Sequence, residues 1–327
     1  MRGRVSRLAN GKVAAQTQSM TCVLIDCDPG LDDAVALLAA FGAPELDVRA
    51  ITTVAGNVKG SQTAENARII REVAGLGAEI PVSTGAPRPI LRDPVTAEDF
   101  HGSTGLGDIP FPKPEHPLSD VHAVNVIIET CRASQDDPIT LIITGPMTNV
   151  ALALIMVPEI ADGIGEIVLM GGADTEGGNI TPFSEFNVFA DPHAASVVFN
   201  SGLPVRCLSL DVTHFVRATA ARLADLGTLR SKQADVAVQL LEASCKLEFS
   251  ANGARDAPLH DPSTIIAVTR PDLFQGRRAR VEVITERGDQ FGRTIPHFDE
   301  NGPVLWYEQA DDDGAFEELA RLLRGFE

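Results

Sequence analysis

The sequence predicts a single α/β domain built on an open, mostly parallel sheet with helices on both faces. Short, continuous apolar runs alternate along the chain with longer segments in which apolar residues recur every three to four positions. Continuous apolar runs are typical of parallel strands buried on both faces, and the longer pattern is typical of helices. Their alternation indicates a doubly wound, Rossmann-like sheet, in which ligands bind outside the carboxyl ends of the strands.

Five apolar runs are predicted to be buried strands, and the segments between them to be helices. The predicted strands are residues 22–25, 48–54, 139–143, 167–170 and 205–210. The predicted helices are residues 32–41, 61–74, 123–133, 148–157 and 192–200. Residues 84–117 are rich in Pro and Gly and lack periodicity, which predicts a long surface loop. A loop of this length within a compact domain is usually functional.

The remaining segments are predicted to complete the same domain. Residues 218–249 indicate two helices, and residues 313–323 indicate a closing helix. Residues 280–306 indicate a few strands, with turns at residues 287–289 and 301–302. Residues 1–20 are basic and polar and are predicted to form a disordered extension, so that the domain covers residues 21–327. Within residues 1–20 no apolar run is long enough for a signal-peptide core, and no stretch elsewhere approaches the length of a membrane span.

The chain is strongly acidic, with a formal net charge of −18. This charge repels nucleic-acid backbones and anionic membranes, so neither is an expected partner, whereas a metal cation is attracted. The five cysteines are odd in number, widely scattered and without a CxxC pair, which fits neither a disulfide framework nor a zinc site. A reducing, cytoplasmic location is therefore expected.

Four carboxylates cluster where the first predicted strand ends. The strand runs into DCDPGLDDA, which places Asp26, Asp28, Asp32 and Asp33 at the start of a helix. Asp32 and Asp33 could serve as helix caps, which the helix dipole favours. Four neighbouring carboxylates are too many for that role, because without a cation they repel and raise one another's pKa. Since oxygen-only ligands favour Ca²⁺ or Mg²⁺ over zinc, the loop is predicted to bind one of these metals.

The same loop resembles the N-terminal signature of the inosine–uridine-preferring nucleoside hydrolases. Nearly the whole predicted domain carries the resemblance, and almost every motif follows a predicted strand. The further motifs are VAGN (54–57), HGSTGLG (101–107), TGPMTN (144–149), LMGG (169–172), EFNVFADP (185–192) and PLHDP (258–262). Each motif alone is weak, but their order and spacing together are specific. The resemblance implies hydrolysis of the N-glycosidic bond of ribonucleosides by a Ca²⁺-bound water, releasing ribose and free base, in a homotetramer or homodimer.

The resemblance also implies roles for individual residues. Ca²⁺ would be bound by the carboxylates of Asp28, Asp33 and Asp261 and the backbone carbonyl of Thr144, and Asp28 would also take a proton from the bound water. Further residues would hold the ribose hydroxyls or pack beside the sugar, namely Asp32, Asn57, Met170, Asn179, Glu185, Phe186 and Asn187. Because glycosidic cleavage passes through an oxocarbenium-like state, nearby carboxylates would stabilise the charge that develops at C1′.

Two histidines are candidates for catalysis. His260 directly precedes the predicted ligand Asp261, and an ordinary histidine pKa of about 6.5 suits a general acid. The alternative is that it caps the helix beginning at Pro262. His101 is predicted to contact the base or leaving group, and the alternative is an ordinary surface-loop histidine. The family often has tyrosines in the helix before PLHDP, but residues 234–256 contain none, so the sequence leaves the base preference open.

Two other functions compete with this interpretation. A haloacid-dehalogenase-type phosphatase also has two aspartates after its first strand, but it has Thr or Val two residues after the second, where this chain has Gly30. A non-catalytic ribose- or nucleoside-binding protein could share the scaffold. The presence of Asp28, His260 and Asp261 argues against that alternative, because a protein that only binds needs neither a base nor an acid.

Overall fold

A sheet of nine strands forms the centre of the part of the chain that the computed structural model describes, which is residues 20–97, 102, 104–107 and 109–326. The strands are β1 (Thr21–Cys27), β2 (Leu46–Thr53), β3 (Val82–Thr84), β4 (Ile139–Ile143), β5 (Ile164–Met170), β6 (Val205–Leu208), β7 (Arg217–Ala218), β8 (Ala257–Pro258), β9 (Phe274–Val283), β10 (Thr294–Phe298) and β11 (Val304–Ala310). The large sheet has the order β10-β9-β11-β6-β5-β4-β1-β2-β3, and β7 pairs with β8 separately.

Seven neighbouring strands, from β3 across to β11, run parallel to one another. At the far edge, β9 is antiparallel to both β10 and β11. The order of the parallel strands reverses at β1, which lies between β2 and β4. The connections leaving β1 and β4 therefore diverge to opposite faces of the sheet, and a crevice opens at the carboxyl ends of these strands.

Helices cover both faces of the large sheet. They are α1 (Leu31–Phe41), α2 (Gly60–Val73), α3 (Ala123–Ala133), α4 (Thr148–Met156), α5 (Phe186–Ala190), α6 (Pro192–Phe199), α7 (Leu210–Thr213), α8 (Ala220–Leu226), α9 (Lys232–Asn252), α10 (Pro262–Thr269) and α11 (Asp312–Arg324). Adjacent residues of β1 belong to different cores: Val23 and Ile25 pack in one apolar cluster with α1, α9, α10 and α11, whereas Leu24 packs in another with α3, α4 and α6. This alternation explains why the strand is apolar at consecutive positions.

The predicted fold class is confirmed, and the predicted central strands and helices are present with small shifts at their ends. Sequence reasoning missed five short elements of two to five residues, namely β3, β7, β8, α5 and α7. Such short elements have too few residues to show a period. The described residues between β3 and α3 contain no helix or strand, as the long-loop prediction requires. Within the described ranges, no helix is long and apolar enough to cross a membrane.

Candidate active site

A pocket of about 540 Å³ lies at the carboxyl ends of β1, β4 and β5. It is closed on one side by α9 and by the chain that leads into α10. Most of the residues predicted for the site line it, namely Asp32, Asn57, Thr144, Met170, Asn179, Glu185, Phe186, Asn187, His260 and Asp261. Asp28 and Asp33 are fully buried. His101 lies outside the described residues, so its predicted role stays a prediction.

Three carboxylates converge beside the floor of this pocket. Asp32, Asp33 and Asp261 each offer one oxygen, and these oxygens all lie within 4.8 Å of one another. Two oxygens bound to one Ca²⁺ at about 2.4 Å can be at most about 5 Å apart, so one ion could contact all three. The group differs from the predicted ligand set because it contains Asp32 in place of Asp28. The proximity of Asp33 and Asp261, which are far apart in sequence, agrees with the prediction.

Asp28 lies next to this acidic cluster in a cradle of backbone. Its Oδ2 accepts a hydrogen bond from the Asn57 backbone N–H at 2.6 Å. Its Oδ1 is buried and has no hydrogen-bond partner among the described residues. A Cβ at either Gly56 or Gly145 would collide with the Asp28 carboxylate, so these positions admit no side chain. A buried carboxylate oxygen without a donor is costly, and a cation would remove that cost.

Asp33 is held by donors on both of its oxygens. Oδ1 accepts from the Thr144 hydroxyl at 2.7 Å and from the Asp28 backbone N–H at 3.2 Å. Oδ2 accepts from Asn57 Nδ2 at 3.0 Å and from the Gly30 backbone N–H at 3.1 Å. The last of these bonds caps the start of α1, so Asp33 takes part in capping as well as in the acidic cluster. These donors fix the position of its carboxylate.

The electrostatics of the cluster favour a cation. Burial raises the pKa of Asp28, and the charge of Asp33 raises it further. Burial and the charge of Asp32 likewise raise the pKa of Asp33 and of Asp261. Burial also raises the pKa of Asp32, against hydrogen bonds that lower it. A divalent cation would stabilise the ionised forms, because it offsets both their lost hydration and their mutual repulsion.

Asn187 closes the floor of the pocket on the side of β5. Its Nδ2 donates to the Thr144 carbonyl at 2.7 Å and to the Met170 carbonyl at 3.2 Å. The Thr144 carbonyl is one of the predicted metal ligands, and its second lone pair allows another partner. Asn187 thereby links the carboxyl ends of β4 and β5 at the pocket.

Glu185 has a structural role that sequence reasoning missed. It is the N-cap of α5: Oε1 accepts from the Asn187 backbone N–H at 2.8 Å, and Oε2 accepts from Val188 at 3.2 Å and from Gly172 at 3.0 Å. Burial raises the pKa of Glu185 to about 7, against the lowering effect of these bonds. Glutamate is not a preferred cap, so the sequence carried no signal for this role. Nearby, Asn179 Oδ1 accepts from the Phe186 backbone N–H at 2.9 Å, which fixes the entrance of α5.

His260 lies in the pocket wall beside Asp261. Its Nδ1 lies 2.8 Å from the Thr213 hydroxyl, and its ring centroid lies 5.6 Å from that of His214. The bond to Thr213 orients the imidazole. The helix-cap alternative is wrong, because the N-cap of α10 is Asp261 and His260 precedes it.

Several residues that line the pocket had no signal in the sequence. His214 was left without a functional assignment, yet it lines the pocket, and its Nδ1 lies 3.1 Å from Glu176 Oε2. Arg217, Ser244 and Glu248 line the pocket from β7 and α9. The position of His214 directly after β6 and α7 is the one clue that could have identified it, because ligands bind at the carboxyl ends of such strands.

Comparison with known proteins decides the family. The family model for inosine-uridine preferring nucleoside hydrolases matches residues 23–317. The chain belongs to this family. The predicted function, hydrolysis of ribonucleosides to ribose and free base, is confirmed by this membership, and the phosphatase and binding-protein alternatives are wrong.

Relatives of this nucleoside hydrolase differ in the bases that their names specify. The inosine-uridine preferring nucleoside hydrolase of Crithidia fasciculata is 35% identical over 277 residues, which are 84% of this chain and 87% of that protein. The pyrimidine-specific ribonucleoside hydrolase RihA of Photobacterium profundum is 39% identical over 274 residues, with the same coverage of 84% and 87%. The structure of a purine-preferring ribonucleoside hydrolase from Gardnerella vaginalis matches with a TM-score of 0.86 and 31% identity, covering 94% of this chain and 99% of that one. Family membership alone therefore does not decide the base.

In this nucleoside hydrolase, Asp211 holds the loop between β5 and α5 in place. Its carboxylate accepts hydrogen bonds from the backbone N–H groups of Asp174, Thr175 and Glu176 at 2.7–3.0 Å. Burial acts to raise its pKa, but hydrogen bonds from Thr175 and from the Glu176 and Asp174 backbone outweigh this effect and lower the pKa. The same loop continues to Asn179, which lines the pocket. Asp211 is therefore a positioning residue for this pocket wall.

Replacing Asp211 with asparagine is expected to raise KM about tenfold while kcat changes less. Asparagine places an amide N–H₂ group opposite the backbone N–H donors of the loop, so a hydrogen bond that the charged carboxylate accepted is lost. Such a bond to a charged group contributes about 1.5–3 kcal/mol to the stability of the loop. Steady-state kinetics on inosine and uridine measure both constants. Ser209→Ala, which removes a single side-chain donor to Asp211, is the matched control and should change KM by much less. An unchanged KM in the asparagine variant would show that Asp211 does not position the loop.

Proposed function

We propose that this chain hydrolyses ribonucleosides with the help of one Ca²⁺ ion held by its acidic cluster. The observation that carries the proposal is the convergence of three buried or partly buried carboxylates, Asp32, Asp33 and Asp261, next to Asp28, whose Oδ1 has no hydrogen-bond partner among the described residues. These ligands fit Ca²⁺ because they are all oxygens and include several carboxylates, which suits an ion that takes about six to eight oxygen ligands. Mg²⁺ usually keeps several waters and is bound by one or two carboxylates, so it fits this acidic cluster less well.

We propose that the ion is held by the carboxylates of Asp28, Asp33 and Asp261 and by the Thr144 carbonyl. One carboxylate oxygen of Asp32 also lies within 4.8 Å of those of Asp33 and Asp261. When bound, Ca²⁺ would act as a Lewis acid that lowers the pKa of water and orients the sugar hydroxyls. The Asp28 carboxylate is the proposed acceptor of the proton from the attacking water, because it lies next to the acidic cluster and accepts only one hydrogen bond, from the Asn57 backbone, among the described residues. Buried negative charge around the sugar would also stabilise the positive charge that develops at C1′.

Ribose binding is proposed on the floor of the pocket. Asp32, Asn57 and Asn187 are proposed to bind the 2′- and 3′-hydroxyls, because they line the pocket next to the acidic cluster. Asn179 and Glu185 are proposed to bind the 5′-hydroxyl from the neighbouring wall. Two residues pack beside the sugar in this proposal, the Met170 side chain and the Phe186 ring. Several simultaneous hydrogen bonds would orient the ribose for attack at C1′.

His260 is the proposed general acid for the leaving base. It lines the same pocket as Asp32 and Asn187, and the bond from Thr213 to its ring sets its orientation. His101 is proposed as a second contact to the base. A homotetramer or homodimer and a cytoplasmic location are also part of this proposal, supported by the resemblance and by five free cysteines.

Removal of Ca²⁺ is expected to abolish activity and to lower the thermal stability. Without the cation, the buried carboxylates keep their repulsion and lose a ligand that binds only the folded state. At about 100 times its Kd, such a ligand stabilises the fold by about 2.7 kcal/mol. Activity on inosine and uridine, together with Tm, would be measured after chelation with EGTA and after adding back Ca²⁺ or Mg²⁺.

Ca²⁺ should restore both properties at a lower concentration than Mg²⁺, and a crystal structure with Ca²⁺ should show oxygen ligands at about 2.3–2.6 Å. Full activity in the chelated protein, with no metal detected by elemental analysis, would contradict the proposed metal site. If these carboxylates formed only an acidic surface and no metal site, chelation and the addition of Ca²⁺ should leave the Tm unchanged, because exposed carboxylates bind cations weakly.

A further inference from the structure

The pocket has two ends with different chemistry. The floor, beside the acidic cluster, carries the residues proposed for ribose. The opposite wall is formed by α9 and the following segment, and it contributes Ser244, Glu248, Ala251, Ala254 and Pro258. With the ribose on the floor, its C1′ substituent extends away from the acidic cluster. With the ribose in the proposed position, the base would lie against the wall that α9 provides.

Glu248 gives this wall a distinct hydrogen-bonding character. It is partly buried and lines the pocket between Ser244 and Ala251 of α9, and a carboxylate has acceptor sites for several hydrogen bonds at once. An ionised carboxylate only accepts hydrogen bonds, so a base is favoured when it directs N–H groups at this side chain. A base that directs a carbonyl at it would place two acceptors together, which is unfavourable in a partly desolvated pocket.

Arg217 supplies the opposite character in the same pocket. Its Nε donates to the His214 carbonyl at 3.0 Å and its Nη1 donates to the Asp256 carbonyl at 3.0 Å. Both bonds hold the guanidinium at the pocket wall, where it can only donate. The base end of the pocket thus combines a donor-only and an acceptor-only side chain. Bases that carry an amino group beside a carbonyl or ring nitrogen acceptor match this pair.

We propose that Glu248 selects nucleosides whose base carries an exocyclic amino group, so that cytidine is preferred to uridine and guanosine to inosine. This inference rests on the proposed function. Cytosine has an N4 amino group where uracil has a carbonyl, and guanine has an N2 amino group that hypoxanthine lacks. The one N–H on the pairing edge of uracil lies between two carbonyls, so it cannot approach the carboxylate without bringing an acceptor along. Charge-assisted hydrogen bonds of this kind change an equilibrium about tenfold to a hundredfold.

The test compares kcat/KM for the two substrate pairs in the unmodified enzyme and in Glu248→Gln. Each value is divided by the rate of the same protein on p-nitrophenyl riboside, so that any loss of folded enzyme cancels. Glu242→Gln is the matched control, because Glu242 is an exposed glutamate of α9 that does not line the pocket. We expect cytidine/uridine and guanosine/inosine ratios of about 10 to 100 in the unmodified enzyme and in Glu242→Gln. In Glu248→Gln both ratios should fall at least about tenfold, because the neutral amide makes a weaker hydrogen bond to the amino group and, with uridine, can also donate to the carbonyl.

Equal ratios in all three proteins, or a preference of the unmodified enzyme for uridine and inosine, would overturn the proposal for Glu248. The proposed function would still stand in either case, because the nucleosides are hydrolysed. Failure of the unmodified, Ca²⁺-loaded enzyme to release ribose from any of the four nucleosides would instead overturn the proposed function. The two failures are therefore distinguishable within one set of assays.

Discussion

Asp28→Asn is expected to lower kcat on inosine and uridine by at least about 10³-fold, with a much smaller change in KM. A general base contributes about 10²–10⁴ in rate, and this substitution also removes a negative charge close to C1′. The amide oxygen can still accept the hydrogen bond from the Asn57 backbone N–H, so the local backbone has no reason to move. Turnover is therefore expected to suffer more than binding.

The same variant gives a second, independent readout in its stability. The Asp28 carboxylate is buried, Asp33 repels it, and its Oδ1 has no partner within the described residues. Its neutral replacement should therefore leave the Tm of the chelated protein unchanged or higher, while the gain in Tm on adding Ca²⁺ becomes smaller. Asp136→Asn, at an exposed aspartate far from the pocket in the loop before β4, is the matched control. A kcat within about tenfold of the parent would exclude Asp28 as the base.

The position of the acidic cluster could be predicted from the sequence for a simple physical reason. Asp28 and Asp33 follow an apolar run that reads as a buried parallel strand, and the carboxyl ends of parallel strands meet at one edge of the sheet. Asp261 could be placed beside them only through the resemblance, because it follows the two-residue β8, which lies outside the large sheet. Local patterns do not report which loops meet across a fold.

The sequence could not predict which side chains form hydrogen bonds with one another across the fold. Thr213 contacts His260 across 47 positions, and Asp211 accepts from a loop 35 to 37 positions earlier. Glu248 faces the pocket because of the angle at which α9 packs on α1. Helix periodicity does not specify this packing angle when a helix is only weakly amphipathic. The sequence also predicted Asp28 in the converging group of carboxylates, whereas the geometry brings Asp32 there. Asp28 lies in the loop after β1 and Asp32 in the first turn of α1, and only the folded backbone determines where each carboxylate is placed.

His260→Ala is expected to lower kcat on inosine by about 10²–10⁴-fold while Ca²⁺ still binds. A purine or pyrimidine anion is a poor leaving group unless it is protonated or well hydrogen-bonded as the bond breaks. His260 lies in the pocket wall, its ring is oriented through Thr213, and an imidazole is a side chain that can donate a proton near neutral pH. Kinetics on inosine and the rise in Tm on adding Ca²⁺ would be measured in parallel.

Substrates with different leaving groups distinguish whether His260 acts as a general acid or as a positioning residue. p-Nitrophenyl riboside carries a good leaving group that needs no protonation, so His260→Ala should lose less than about tenfold on it. Thr213→Val removes the hydroxyl that contacts Nδ1 and should lower kcat on inosine by a smaller factor, again with little effect on the activated substrate. Equal losses on both substrates would mean that His260 positions the sugar or the proposed metal ligand Asp261. In that case the proton would have to come from His101 or from water, and His101→Ala should then show the dependence on the leaving group expected here for His260.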